Sequence, residues 1–364
     1  LMTGKGGWPL NCITLPDGRP VFGGTYFTKD QWSKILEDVS KLYKENPKKV
    51  EEYAQRVTEG IQTSELITLN KEEAVFKNKE IISAITLTKE QLDTINGSFM
   101  GEPKFPMPNS LDYLLRYQYH FSDTTLQKFI KTSLTKMAYG GIYDQIGGGF
   151  SRYSVDERWH IPHFEKMLYD NAQLVSIYSK AYLQDNNELY KNVVQGTLRF
   201  VNEELSANNG AFYSSLDADS KNENDELEEG VFYSWTKQEL KTLIEDYELF
   251  ANYYNVNDFG FWEKDLYVLV RSQSIEEFKK TNKISIKELK DKITNWKSIL
   301  TKSRNNRKKP NLDDKILTSW NALMLQGYVD AYKAFDQKEY LNKAVNIAEF
   351  LIHNQLRSDG GLNR

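Results

Sequence analysis

The stretch GGIYDQIGGGFSRYSVDERWHIPHFEKMLYDNAQL, residues 140–174, decides the fold of this chain. It holds five glycines and two of the chain's four histidines, among many charged and aromatic residues. A helical apolar stripe ends just before it, and an apolar helical pattern continues from its last residues. We therefore predict a helix end, a glycine turn, an extended piece and then an inward-facing helix.

Ionisable side chains crowd residues 152–170 of this stretch. Pro162 lies between His160 and His163 and prevents a continuous helix through them. The two histidines can bind a metal, act as general acid and base, or make only structural hydrogen bonds. Because their spacing lacks a matching cysteine or carboxylate frame, we predict no metal site.

A second acidic segment spans residues 215–235. The candidates for paired carboxylates are Asp217, Asp219, Glu228 and Glu229, and two such carboxylates can supply an acid and a base if their pKa values separate. The spacing also resembles a calcium loop, but Lys221 occupies the third ligand position and the loop glycine is missing.

The last third of the chain carries two further charged segments. Asp313 and Asp314 precede an apolar helix that we predict to begin at Thr318, and an aspartate stabilises such a helix start by itself. Residues 301–310, TKSRNNRKKP, are basic and lack apolar residues, which predicts a solvated loop rather than a phosphate-binding one.

Residues 88–364 are mostly helical in pattern. Helical stripes end at glycine turns near residues 140, 210 and 360, and a short extended piece follows each turn. This faint repeat indicates a toroid of helical hairpins whose turns collect at one mouth, although glycine ends helices in many other folds.

The N-terminal region has a different pattern. Residues 8–27 predict two strands around a Pro-Asp-Gly turn, and residues 31–45 predict an amphipathic helix. A second helix to about Ile61 and a polar connector to about Leu87 complete what resembles the end of an α/β domain.

Composition excludes several function classes. The net charge of −4 gives no sign of nucleic-acid or anionic-membrane binding, and no apolar run is long enough to span a bilayer. The single cysteine, Cys12, rules out an internal disulfide and favours a reducing, cytoplasmic compartment. We expect Cys12 to be a buried strand residue, and we predict no cofactor.

Five segments occur in the order found in one known family. They resemble the thioredoxin-domain proteins of the spermatogenesis-associated protein 20 type. The match runs from residue 6 to residue 324 and is carried by GGWPLNCITLPDGRPVFGGTYF, GEPKFPMP, the stretch at residues 140–174, SLDADS with EEGVFYSWT, and DDKILTSWNALM.

The resemblance implies a mixed fold. An incomplete α/β thioredoxin-like domain is expected at residues 1–87 and an incomplete all-α (α/α)6 toroid at residues 88–364, similar to six-hairpin glycosidases and N-acylglucosamine 2-epimerases. The family's Cys-x-x-Cys segment lies upstream of Gly6, so we expect the chain to be incomplete at both ends. Pro9 stands where thioredoxins carry a cis-proline and is expected to be cis.

A sugar-like ligand is the first functional hypothesis, with epimerisation or glycoside hydrolysis as the reaction. In an epimerase the two histidines would move a proton and Arg152 or Lys166 would steady the oxyanion. The candidate catalytic residues are His160, His163, Glu165, Asp217, Asp219, Asp313 and Asp314. The candidate substrate-binding residues are Arg152, Tyr153, Trp159, Lys166, Asp170, Asn171, Tyr233, Trp235, Trp320 and Asn321.

Two alternatives stay open. The protein can be a thiol-disulfide redox-associated factor whose toroid is a binding or structural module, with the activity in the upstream cysteine motif. The charged segments can also form a buried ion network with no substrate at all.

Overall fold

The chain divides into two compact units, Leu1–Ile81 and Ile82–Arg364. The predicted boundary between residues 87 and 88 lies slightly further along, within the same helix, Asn78–Lys89. The peptide bond before Pro9 joins it to Trp8, which is not among the described residues. The predicted cis state of this bond therefore lies outside the described residues. The computed structural model describes residue 7 and residues 9–65, 75 and 77–363.

The first unit contains a β-hairpin followed by two helices, as the sequence predicts. Its elements are β1 (Asn11–Thr14), β2 (Pro20–Gly24), α1 (Lys29–Glu45) and α2 (Pro47–Glu65). Thr28 caps α1, and the Gln31 side chain binds back to the Thr28 N–H, which completes a capping box. The expectation that Cys12 is buried was wrong: strand alternation places Cys12 and Thr14 on the exposed face of β1.

The second unit is mainly helical, with short strands between the helices. Its first helix replaces the end of the predicted polar connector, because Ile85 packs into the core of this unit. The helices are α3 (Asn78–Lys89), α4 (Pro108–Phe121), α5 (Thr124–Tyr139), α6 (Leu168–Asp185), α7 (Glu188–Glu204), α8 (Lys237–Leu243), α9 (Tyr247–Tyr254), α10 (Ile275–Asn282), α11 (Ile286–Arg304), α12 (Thr318–Phe335) and α13 (Lys338–Phe350), which continues into a π-helical turn, Leu351–Gln355.

Short antiparallel strand pairs tie the segments between these helices together. β6 lies in the middle of a three-stranded sheet with β5 and β11, and the other strands form pairs. The strands are β3 (Tyr153–Ser154), β4 (Pro162–His163), β5 (Lys166–Met167), β6 (Ser215–Leu216), β7 (Asp219–Lys221), β8 (Leu227–Glu229), β9 (Trp235–Thr236), β10 (Leu266–Tyr267) and β11 (Leu312–Asp313).

Helical hairpins form two layers. α4 packs against α5, α6 against α7, and α12 against α13, while α6 also contacts α4 and α12. α6 and α12 carry buried residues around much of their circumference, as inner helices must. This layering is that of part of an (α/α) toroid, and it confirms the predicted mixed fold class. No helix among the described residues is both long and apolar enough to cross a bilayer.

The faint glycine-turn repeat is a structural repeat. After α3, α5, α7 and α13 the chain makes the same narrow turn, closed by one antiparallel bridge. The bridges join Leu92 to Phe99, Tyr143 to Phe150, Ser206 to Phe212, and Leu356 to Leu362. Three of these turns follow the glycine signals in the sequence; the turn at residues 92–99 has only Gly97 and is not apparent from the pattern.

Candidate functional site

Four segments rich in charged and aromatic residues meet on one side of the helical hairpins, which we call the mouth; they are residues 101–110, 140–174, 215–235 and 313–323. α7 ends on this side and α6 and α12 begin there, because the helices of a hairpin run antiparallel. β6 pairs with β5 and β11, which joins the segments at residues 140–174, 215–235 and 313–323. Lys104 pairs with Ser154 through backbone bonds of 2.8 and 2.9 Å and adds the segment at residues 101–110.

His163 is the centre of a charged group at the mouth. Its Nδ1 lies 2.7 Å from Glu229 Oε1, and its Nε2 lies 3.9 Å from Glu165 Oε2. Its ring stacks on Tyr153, its partner across the β3–β4 pair, with 4.9 Å between ring centroids. The hydrogen bond with Glu229 raises the pKa of His163 and lowers that of Glu229.

Arg152 and Asp170 extend this group toward the start of α6. Arg152 Nη1 lies 3.3 Å from Glu165 Oε2, so one carboxylate contacts both Arg152 and His163. Asp170 is buried, and its Oδ2 has no hydrogen-bond partner among the described residues. Burial raises the pKa of Asp170 to about 8, against the opposing influence of Arg152 and Tyr169.

Aromatic rings flank these ionisable groups on two sides. Tyr169 and Trp320 meet edge to face with centroids 4.8 Å apart, across the starts of α6 and α12. Phe105 packs on Tyr153 with centroids 4.9 Å apart. We call the combined set the mouth cluster, and its members are Arg152, Tyr153, His163, Glu165, Tyr169, Asp170, Glu229 and Trp320.

The predicted pairing of His160 with His163 is not seen. His160 is buried and stacks on Phe259 with centroids 6.1 Å apart and nearly parallel rings. Burial lowers the pKa of His160, opposite to the shift at His163. Trp159 is fully buried, and its indole N–H donates to the Asn96 carbonyl at 2.8 Å. Trp159 and His160 thus belong to the packed interior, whereas His163 lies in the mouth cluster.

The side-chain amides of Asn171 and Asn321 bind backbone groups and do not point into open space. Asn171 accepts the Phe150 N–H at 2.7 Å and donates to the carbonyls of Phe150 and Met167 at 3.0 and 2.8 Å. Asn321 accepts the Phe212 N–H at 2.8 Å and donates to the Phe212 carbonyl at 3.0 Å. Both side chains are fully buried, so these amides fix the narrow turns against the inner helices.

Lys166 and Tyr233 belong to a separate buried ionic group. Lys166 Nζ lies 2.9 Å from Asp144 Oδ2, and Arg304 binds the same carboxylate at 2.9 Å. The Tyr233 ring lies 4.6 Å from Lys166 Nζ. Trp235 is fully buried under the guanidinium of Arg307. These predicted substrate-binding residues therefore lie apart from the mouth cluster.

The predicted aspartates are dispersed around the mouth. Asp217 accepts the N–H of the following residue at 2.7 Å, and Asp313 forms an ion pair of 2.7 Å with Lys315. Asp314 is exposed. Asp219 lies opposite Glu229 in the β7–β8 pair, and burial together with nearby carboxylates raises its pKa. The two carboxylates that share a partner are instead Glu165 and Glu229, on either side of His163.

Two features escaped the sequence analysis. Glu229 was one of several acidic candidates, and only the hairpin register of β7 and β8 turns it toward His163. The basic segment at residues 301–310 is not merely a solvated loop, because α11 runs to Arg304 and buries it. Arg307 binds Glu239 through two contacts of 2.8 Å. The helical spacing of the buried residues in α11, continued for one more turn, was the sequence signal that could have predicted the burial of Arg304.

No three His, Cys, Asp or Glu side chains in the described parts of the chain are grouped so that they could hold a metal ion. The mouth cluster alternates acidic and basic groups, so proton transfer and hydrogen bonding are the chemistry that its own side chains can perform.

Comparisons with known proteins relate the chain to one family model and to several curated relatives. A family model described as Thioredox_DsbH, a protein of unknown function (DUF255), matches residues 1–62. Uncharacterized protein B0495.5 of Caenorhabditis elegans is 34% identical over 100% of this chain and 53% of its own length. Human spermatogenesis-associated protein 20 is 32% identical over 95% of this chain and 48% of its own length.

Solved structures also align with the chain. The GH76A alpha-1,6-mannanase from Salegentibacter sp. HEL1_6 is 11% identical with a TM-score of 0.43, covering 78% of this chain and 56% of its own. The chain spans about half the length of the curated relatives that it matches. It is therefore a homologue of the spermatogenesis-associated protein 20 proteins over nearly its whole length, with a thioredoxin-like N-terminal part and a helical-hairpin part that follows it.

Proposed function

We propose that the mouth cluster binds a sugar-like small molecule and catalyses proton transfer on it, as in sugar epimerisation or isomerisation. The observation that carries this proposal is the contact of His163 with Glu229 and Glu165 near buried Asp170, whose Oδ2 has no hydrogen-bond partner among the described residues. Perturbed titratable groups of opposite tendency, set side by side among aromatic rings, are typical of acid–base sites.

The aromatic pairs suit a ring-shaped polar ligand. Sugars place C–H groups on aromatic faces and hydroxyls on polar groups, and both are available here. Trp320 and Tyr153 are half-buried, so part of each ring stays accessible. Arg152 and Glu165 supply a donor and an acceptor between the two aromatic pairs.

His163 is suited to move a proton. Glu229 holds the Nδ1 side of the ring, which leaves Nε2 as the atom that can exchange a proton with a ligand. Because the hydrogen bond with Glu229 raises the pKa of His163 above 6.5, the imidazole keeps its proton to a higher pH than an ordinary histidine does.

Asp170 and Arg152 complete a proton-transfer step. Nε2 of neutral His163 takes the proton from the carbon next to a sugar carbonyl, and the C–H electron pair moves to form an enediolate. Arg152 stabilises the negative oxygen, and Asp170, protonated below about pH 8, donates a proton to it. His163 then returns its proton to the neighbouring carbon, and Asp170 recovers a proton from the hydroxyl that becomes the new carbonyl, which completes an isomerisation.

Hydrolysis fits the geometry less well. A glycoside hydrolase needs two carboxyl groups that face each other across the bond to be cleaved, about 5–10 Å apart. Here Glu165 and Glu229 both contact one imidazole, so His163 occupies the space between them.

The test is exchange of solvent deuterium into reducing sugars by the full-length protein, followed by NMR, after a thermal-shift screen of a sugar panel. His163→Gln and Glu229→Gln should each lower the exchange rate at least about tenfold, whereas His120→Gln, an exposed histidine on α4, should not. Absence of both sugar-dependent stabilisation and exchange would overturn the proposal. Equal loss in the His120 variant would do the same.

A redox function is the second candidate, supported by the match of residues 1–62 to a thioredoxin-like family model. Exposed Cys12 gives this part of the chain one accessible thiol. Incubation of the full-length protein with oxidised glutathione, followed by mass spectrometry, should show a mixed disulfide that Cys12→Ser reduces if Cys12 takes part. Unchanged mixed-disulfide formation in that variant would exclude Cys12 from the reaction.

A further inference from the structure

A cavity of about 650 Å³ lies between α7 and α11, away from the mouth cluster. It reaches Lys166 of β5 and Leu216 of β6, but the described residues that line it include no member of the mouth cluster. Cavities of about 300–1,000 Å³ are of the size that holds small organic ligands. The mechanism proposed above makes no use of this space.

One face of α11 lines the cavity with polar groups. Thr294, Lys297, Ser298 and Thr301 follow the i, i+3, i+4, i+7 spacing that places side chains on one helix face. The opposite face carries the apolar residues that pack into a core, including fully buried Trp296. The Thr294 hydroxyl donates to the Lys290 carbonyl at 2.9 Å, so the hydroxyls of Ser298 and Thr301 and the Lys297 ammonium are the donors available for an anion on this side.

The cavity lining is electropositive. Six of its side chains are cationic and three are carboxylates. Asp144 is shared by two of the cations, Lys166 and Arg304, and Glu204 pairs with Lys309 at 2.7 Å. Glu203 is the third carboxylate. Among the described residues, no ion pair within 4.0 Å neutralises the remaining cations, which are Arg199, Lys297 and Lys302.

Arg304 provides an independent indication of a missing anionic partner. It is only 6% exposed and binds Asp144 through Nη1, yet its buried Nε has no hydrogen-bond partner among the described residues. Its guanidinium lies 5.2 Å from the Phe232 ring and 5.6 Å from the Tyr233 ring. These two rings also line the cavity and offer contact area for the body of a ligand.

We propose that this cavity binds a small phosphorylated molecule of about sugar-phosphate size. The phosphate would lie between Arg199 on α7 and Lys297 with the α11 hydroxyls, and the body of the ligand would contact Phe232 and Tyr233. Several separated donors around one point suit the oxygens of a phosphate better than a single planar carboxylate.

The titration behaviour of Lys297 agrees with this proposal. Burial, with Arg199 and Arg271 nearby, lowers the pKa of Lys297 to about 8, and Asp144 opposes the shift only in part. An ammonium that is desolvated beside other cations is stabilised when an anion enters.

Isothermal titration calorimetry on the full-length protein tests the proposal, with inorganic phosphate, glucose 6-phosphate, glucuronate and glucose as separate probes. Both phosphates should bind, glucose 6-phosphate more tightly because of its contact with the rings. Lys297→Met and Arg199→Gln, on different helices, should each weaken binding about tenfold or more. Lys290→Met, an exposed lysine on α11, is the matched control and should leave affinity unchanged.

Three results would overturn the inference: no binding of either phosphate, equal affinity for glucuronate, or equal loss of affinity in the Lys290 control. Circular dichroism and thermal melts establish that the variants are folded. Because Lys297 and Arg199 lie on different helices, the proposal can still be tested if one of the two variants does not fold. Arg152→Gln in the mouth cluster should leave phosphate binding unchanged. Failure of the sugar hypothesis at the mouth therefore does not decide the outcome here.

Discussion

Asn171 and Asn321 make the same hydrogen bonds on two different inner helices. Each accepts the N–H and binds the carbonyl of a phenylalanine in the narrow turn before it, Phe150 and Phe212 respectively. Each also donates to the carbonyl four residues earlier, at the start of its own helix. The turns of the toroid are therefore locked to the inner helices by one repeated asparagine.

Replacing either asparagine by alanine should lower the free energy of unfolding by about 3 kcal/mol or more, because buried backbone groups lose their partners. Urea unfolding measures the change. Gln173→Ala is the control on α6: its amide makes one bond to a carbonyl on the same helix at 3.0 Å and is only half-buried. A loss equal to that of the control would contradict a locking role.

The resemblance to a known family implied the mixed fold, whereas local signals in the sequence predicted where several helices begin and end. Glycine turns mark the ends of α5 and α7, and α12 begins at Thr318 as expected. Strand alternation at Cys12 was misjudged, since one short hairpin does not show which face another element covers.

The candidate site was less predictable because its contacts are long-range. His163 and Glu229 are 66 residues apart, and Asp144 and Arg304 are 160 apart. Nothing in local sequence assigns one acidic residue of a cluster to one partner. His160 and His163 illustrate the limit: three residues apart, they differ in burial and in the direction of their pKa shifts.

Gly148 allows the turn before α6 to lie directly against α7. Its φ of +82° is unfavourable for other residues, and an added Cβ would lie 2.3 Å from the Gly196 carbonyl oxygen. Gly148→Ala should therefore lower the free energy of unfolding by about 3 kcal/mol or more. Gly360→Ala, with a φ of +80° and open space around its Cβ, isolates the backbone cost, expected at about 1–2 kcal/mol. Similar losses in the two variants would show that the contact with α7 is unimportant.

Asp144 holds together a buried group of two cations. Burial favours a raised pKa for Asp144, but Arg304 and Lys166 outweigh it and hold the pKa well below its ordinary range. Asp144→Asn should cost about 3–5 kcal/mol of stability, because it leaves both cations unneutralised. Lys166→Met should cost less, since Arg304 still neutralises the carboxylate.

Lys309→Met removes an exposed ion pair with Glu204 and serves as the control, with an expected change of at most about 1 kcal/mol. Equilibrium unfolding of the three variants measures the order of their stabilities. A Lys166 variant less stable than the Asp144 variant would contradict this account of the group.

Asp170 should make the stability of the protein fall as pH rises. With a pKa of about 8 in the folded state against 3.8 ordinarily, the folded chain retains a proton that the unfolded chain has lost between these values. The contribution of Asp170 to the free energy of unfolding is therefore complete below about pH 4 and is lost as pH rises through about 8. Asp170→Asn, which stays neutral, should match the native protein near pH 4 and exceed its stability at pH 9 by about 2 kcal/mol or more.

Urea unfolding of both proteins from pH 4 to pH 9 measures the difference. Asp314→Asn removes an exposed carboxylate near the same mouth and controls for net charge. Parallel stability curves for the native and Asp170 proteins would show that Asp170 ionises normally. In that case it could not act as the proton donor beside Arg152, because it would carry a charge at neutral pH.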